Sequence, residues 1–285
     1  MEPLKYQSGF GNNFETEAIP GSLPQGQNSP QMCAYGLYAE QLSGTAFTAP
    51  RSHNLRTWFY RIRPSVVQGM FRPFDTDLNN DLIPDPNAMR WGQFEIKEEE
   101  SIDFVRGLRL LCGAGEPTLK SGLQIYVYTA TVSMGNQVLY NSDGDFLIVP
   151  QIGILHITTE HGKMDVKSGE IAVIPRGIKY SVDIDGPSRG YILEIFNSHF
   201  ELPSLGAIGA NGLANPRDFL SPVAHYVDKD EPHLLINKYS GKFFCADIGH
   251  SPFDVVAWHG NYVPFKYDLS LFNTMNSVSF DHPVR

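Results

Sequence analysis

Nine histidines and three cysteines are the side chains of this 285-residue sequence best able to hold a metal ion or move a proton, so their spacing is weighed first. An iron or zinc site needs at least three imidazoles, or two with a carboxylate, converging on one ion. No pair of histidines forms HxH, HxxxH or HExxH. His156 falls in an expected strand whose turn carries His161, and both read as hydrogen-bonded or solvated structural residues. His259, in Ala257-Trp258-His259-Gly260-Asn261-Tyr262, reads as part of an aromatic loop, where packing is favoured over lining a site. Cys33, Cys112 and Cys245 are an odd number at wide spacings with no CxxC. That pattern argues against a disulfide framework and a zinc knuckle and predicts buried free thiols. No GxSxG, P-loop or strand-borne GxGxxG is present.

The elements that must position these groups are mostly strands. The 20 prolines and 26 glycines are spread as turn punctuation, and no segment carries an apolar 3.6-residue repeat over four turns. Residues 1–105 are the least regular part and are expected to wrap over a core formed elsewhere. Within them Leu37–Leu42 reads as one or two helical turns, whereas Arg56–Ile62 alternates as a strand does. Residues 106–200 are expected to form a cupin-like barrel. Its strands are 124–130, 145–150, 153–159, 163–166, 169–175 and 190–196, with a turn at Glu160-His161-Gly162. Residues 201–285 mix glycine-rich loops with a last strand over 276–282. The expected fold is thus mainly β, a cupin-like jelly roll or β-sandwich with a long irregular N-terminal wrap.

Gly169, five residues and then Pro175-Arg176-Gly177 fit the G-x5-P-x-G element of the cupins. A metal-binding cupin would add paired histidines upstream and another histidine beyond. Here the upstream stretch is Val138-Leu139-Tyr140-Asn141-Ser142-Asp143, and Tyr180 stands in the later position. The barrel is therefore read as a metal-free structural domain.

Composition narrows the partners. Twenty-two Lys and Arg against 31 Asp and Glu leave a net charge of −9, which repels nucleic acid and anionic lipid. The N-terminus lacks a signal sequence and no run approaches a membrane span, so a cytoplasmic protein is expected, without nucleic-acid or membrane partners.

Several blocks, in the same order, resemble homogentisate 1,2-dioxygenase. They are Pro20-Gly21-Ser22-Leu23-Pro24 with Gly26-Gln27-Asn28, the run Leu37–Gly44, and Asn141-Ser142-Asp143-Gly144-Asp145 through Gln151. Gly209–Phe219 and Val255–Tyr262 complete the set, and the resemblance runs from about residue 4 through His282. It implies an Fe(II) enzyme of tyrosine and phenylalanine catabolism that opens homogentisate with O2 to maleylacetoacetate, assembled from trimers paired into hexamers. It also implies that the iron ligands, two His and one Glu, belong to a following cupin domain, so that this chain is truncated, binds no iron and is inactive alone. By the same resemblance His282, closing Asn276–His282, is the family's proton acceptor. In an extended strand it would share an apolar face with Val278 and Phe280. Pro283-Val284-Arg285 depart from the family. A non-catalytic subunit that assembles with a full-length homologue is the alternative; a metal-free isomerase using Tyr180 or His156 is a third. An apolar surface near the Trp258 loop and the last strand is expected to lie uncovered without the following domain.

Overall fold

The computed structural model describes residues 3–25, 32–76, 87, 90–202 and 213–273. Strands β1 (Tyr6–Ser8), β2 (Phe14–Glu17), β3 (Tyr38–Ser43), β4 (Arg56–Arg61) and β5 (Arg72–Pro73) come from the first hundred residues. The middle of the chain supplies β6 (Leu108–Glu116), β7 (Ser121–Ala130), β8 (Gln137–Asn141), β9 (Asp145–Ile152) and β10 (Ile154–Thr159). It continues through β11 (Gly162–Lys167), β12 (Glu170–Ile174), β13 (Tyr180–Ile184) and β14 (Ser188–Ile195). Then come β15 (Leu220–Pro222), β16 (His233–Tyr239), β17 (Lys242–Ile248), β18 (Val255–Gly260) and β19 (Phe265–Asp268).

Two sheets face one another. One has the order β1-β15-β19-β12-β9-β14-β7-β6 and the other β11-β10-β13-β8-β16-β17-β5. The alternation of β-strands explains the core between them. Tyr126, Tyr128, Phe146, Ile148, Ile174 and Ile192 point inward from the first sheet. Leu139, Leu155, Ile157, Val166, Tyr180, Val182 and Ile236 meet them from the second. The mainly β sandwich expected from the sequence is what forms. A third sheet, β2-β18-β4-β3, packs at one side around Trp258, Phe59, Val255 and Phe14.

The hairpin β10–β11 turns through Glu160 and His161, with Thr159 opposite Gly162. Gly162 has φ +137°, and an added Cβ would lie 2.0 Å from the Val223 carbonyl oxygen, so only glycine fits this turn.

Two local expectations are corrected. Leu37–Leu42 is not helical: Tyr38–Ser43 is a strand paired antiparallel with β4, from Tyr38↔Arg61 to Ser43↔Arg56. Its period-two pattern, with Glu40 and Leu42 turned inward, and a waiting partner strand override helical propensity. The aromatic loop around Trp258 is likewise β18, hydrogen-bonded on both sides to β2 and β4. Trp258 is fully buried there, so its own side chain forms no part of the uncovered apolar surface expected near it. The expected strand over 276–282, and His282 with it, lies outside the described residues.

Candidate functional site

At one end of the sandwich a cleft of about 680 Å³ opens between the β1–β2 connection, the loop joining β3 to β4, and the ends of β9, β12 and β14. Its polar wall centres on His199. The ring donates from Nδ1 to Asp145 Oδ2 at 2.9 Å and from Nε2 to the Gly44 carbonyl at 2.7 Å. Asp145 also accepts the Arg176 backbone N–H at 2.8 Å, and the Arg176 guanidinium donates to the same Gly44 oxygen at 3.3 Å. Tyr262 packs edge-on against His199 at 5.0 Å and donates its hydroxyl to the Arg176 carbonyl at 2.8 Å. Burial raises the Tyr262 phenol far above its ordinary range, so it stays protonated. Every acid–base group at the centre of this wall is already committed, which suits holding and positioning more than proton transfer.

Two further polar centres are buried. Lys238 from β16 donates to Asp143 Oδ2 at 2.9 Å and Glu194 Oε1 at 3.0 Å inside the barrel. Asn141 and Tyr126 donate to Glu194 as well, at 2.5 and 2.8 Å. Burial raises the Glu194 carboxyl even though Lys238 and Asn141 pull it down. In the Asn141-Ser142-Asp143 stretch, where the paired histidines of a metal-binding cupin would stand, Asp143 thus holds the Lys238 ammonium and Asn141 binds Glu194. In the other centre Arg61 of β4 is ion-paired with Glu160 at the tip of the β10–β11 hairpin, and Lys179 joins it at 3.3 Å. Burial by itself would raise Glu160, but Lys179 and Arg61 outweigh it and hold the carboxyl at about 2.

The residues singled out from the sequence do not come together. His156 faces outward on β10, held by Asp165 at 2.7 Å and Asp185 at 3.0 Å, and hydrogen bonds to the two carboxylates raise its pKa. His161 is wholly buried, flanked edge-on by Phe59 at 4.8 Å and Trp258 at 4.7 Å, and burial pushes its pKa down to about 3. His259 lies on β18 with Nε2 3.1 Å from the Tyr60 hydroxyl. Tyr180 is fully buried and burial raises its phenol well above the ordinary range, which removes it as an acid or base. The expectation of buried thiols holds for Cys245 only; Cys33 and Cys112 are half-buried, and all three are free. Among the described residues no group of three or more His, Cys, Asp or Glu could hold a metal ion.

Asp145, Arg176 and Tyr262 sit inside motif blocks visible in the sequence. His199 and Lys238 do not, and no local signal marks them. Their partners lie 54 and 155 residues away for His199, and 95 and 44 for Lys238. Only strand pairing brings them together.

The family model described as homogentisate 1,2-dioxygenase N-terminal matches residues 5–269. Homogentisate 1,2-dioxygenase of Dictyostelium discoideum is 62% identical over 283 residues, covering 98% of this chain and 65% of that protein. The enzymes of Caenorhabditis elegans and Homo sapiens are each 56% identical, covering 99% of this chain and 66% of theirs. The chain therefore spans about two thirds of the length of the curated relatives it matches. Similar solved structures include a cupin-2 domain protein from Shewanella frigidimarina, with a TM-score of 0.26, 17% identity, and 31% of this chain and 78% of that chain covered. A cupin superfamily protein from Desulfitobacterium hafniense has a TM-score of 0.29 and 14% identity, covering 36% and 84% respectively.

Proposed function

The chain belongs to the homogentisate 1,2-dioxygenase N-terminal family, and from that premise we propose that it is the scaffold part of an Fe(II) dioxygenase that opens homogentisate with O2 to maleylacetoacetate. The observation that carries this reading is the family match over 5–269, beside relatives of 56–62% identity that bear the enzyme's name. Iron in such an enzyme would supply a site where substrate and O2 meet. The described residues do not fit that ion. Both nitrogens of His156 and His199 are engaged by oxygen, and His161 is enclosed by aromatic rings. The proposal accordingly assigns the iron ligands to residues outside those described, leaves this chain inactive alone, and makes His282 the proton acceptor of the complete enzyme. A trimer paired into a hexamer and a cytoplasmic setting belong to the same proposal. No helix among the described residues is long and apolar enough to cross a membrane.

The test is elemental analysis of the purified chain after anaerobic reconstitution with Fe(II) and desalting. The expected result is far less than one iron per chain and no O2 uptake with homogentisate. Near-stoichiometric iron retained through desalting would overturn the assignment of the ligands elsewhere.

A further inference from the structure

The loop between β3 and β4, residues 44–55, is closed on itself. Gly44 N–H donates to the Leu55 carbonyl at 2.8 Å and Leu55 N–H to Thr45 Oγ1 at 2.9 Å. Ala49 bonds back to Ala46 at 3.0 Å and His53 to Pro50 at 2.8 Å, so the loop has its own internal order. It meets the sandwich at two places. On one side Asn261 accepts the Arg56 N–H at 3.0 Å and donates to the Asn54 carbonyl at 2.9 Å. On the other, the Gly44 carbonyl takes its hydrogen bonds from His199 and Arg176. Gly44 rests on the Tyr262 ring so closely that an added Cβ would lie 2.4 Å from Cε2.

We propose that His199 is a proton-operated latch: as an imidazolium it bolts the 44–55 loop to the end of the sandwich, with Asn261 as the hinge, and loss of its proton frees the loop and widens the cleft. The geometry demands two donors. Asp145 Oδ2 and the Gly44 oxygen are both acceptors, whereas a neutral imidazole has one N–H and one lone pair. With Nδ1–H kept on Asp145, the Nε2 lone pair would face the Gly44 oxygen at 2.7 Å, and attraction would become repulsion. The charged and titratable groups facing the ring are Asp145 from β9, Arg176 beyond β12 and Tyr262 beyond β18. His53 on the loop and Glu201 after β14 line the same cleft. Burial by itself would strip the proton. The hydrogen bond and charge of Asp145 and the Gly44 carbonyl outweigh burial and the Arg176 repulsion, so His199 holds its proton above the ordinary histidine range. The latch is therefore closed below the raised pKa of His199 and opens as pH rises through it.

Hydrogen exchange read by mass spectrometry from pH 6 to 9, corrected for intrinsic rates, tests this on the chain as it stands, with NMR following the His199 ring. Protection of residues 45–55 should fall at least about tenfold as His199 deprotonates, the scale of one charge-assisted hydrogen bond, while β9 and β14 keep theirs. His199→Phe keeps a ring beside Tyr262 and should show the low, pH-independent protection throughout. A ring that titrates with no change in loop protection overturns the latch. So does a ring that keeps its proton to pH 9, or a His199→Phe loop protected like the wild type at pH 6.

Discussion

Three histidines show how surroundings set the charge of one residue type. His156 and His199 each gain carboxylate partners and have raised pKa values, whereas His161 lies edge-on to Phe59 and Trp258 with Thr57 Oγ1 3.4 Å from Nε2. Its Nδ1 has no partner. Because burial pushes His161 down to about 3 in the folded protein, the unfolded chain binds its proton first as pH falls below 6.5. The stability tied to its neutral form is present above 6.5 and is lost progressively toward 3. Between pH 6.5 and 5 this one group should cost about 2 kcal/mol. His161→Phe fits between the same rings and should gain about that much on the wild type over the same interval, in urea melts at the two pH values. An unchanged difference between the two proteins would show that His161 does not titrate as its burial requires.

At the level of strands, the coupling of the third sheet to the barrel runs through a buried charge. Arg61 on β4 reaches Glu160 in the two-residue turn between β10 and β11, with side chains 2% and 3% exposed, so neither charge has water to fall back on. Removing Arg61 leaves Glu160 with Lys179, at 3.3 Å, as its remaining cation, so the cost should approach but not exceed the about 3–5 kcal/mol typical of a broken buried pair. Arg61→Met should therefore lower the unfolding free energy by up to about that amount, and adding Glu160→Gln should recover part of it. Denaturant titration of the wild type, the single and the double variant measures both; equal stability of single and double variants would mean the pair is not coupled. Elements whose own alternation was plain, such as β9 with Phe146 and Ile148 turned inward, are legible in the sequence because one face is buried. Strand β3 is not, since Tyr38-Ala39-Glu40-Gln41-Leu42 has good helix formers and only its pairing with β4 decides the matter.

Across the whole molecule, the first strands are sewn to the last. β1 pairs with β15, β2 and β4 flank β18, and β5 pairs with β17, so residues more than 150 positions apart share sheets. The role proposed for His282 is tested at this scale, in a chimera joining residues 1–282 to the remaining third of a relative. There His282→Gln should cut kcat by at least about tenfold with iron content and fold unchanged, within or approaching the range of a positioned general base. An unaltered kcat in the iron-loaded chimera would make His282 structural.

By itself the sequence determined the family, the β character, most strands of the central barrel and the poverty of metal-ligand spacing, because motif blocks and period-two burial are local and survive in one dimension. Only the tertiary structure decided that Trp258 is a core strand residue, that Lys238 pairs with both Asp143 and Glu194 inside the barrel, and that His199 bridges Asp145 and Gly44. Those outcomes rest on contacts between residues 44 to 155 positions apart for the two charged centres, and on β-pairing across the chain for Trp258. The physical reason is that a buried charge or a doubly bonded imidazole is defined by its partners, and partners brought by sheet topology leave no trace in local spacing.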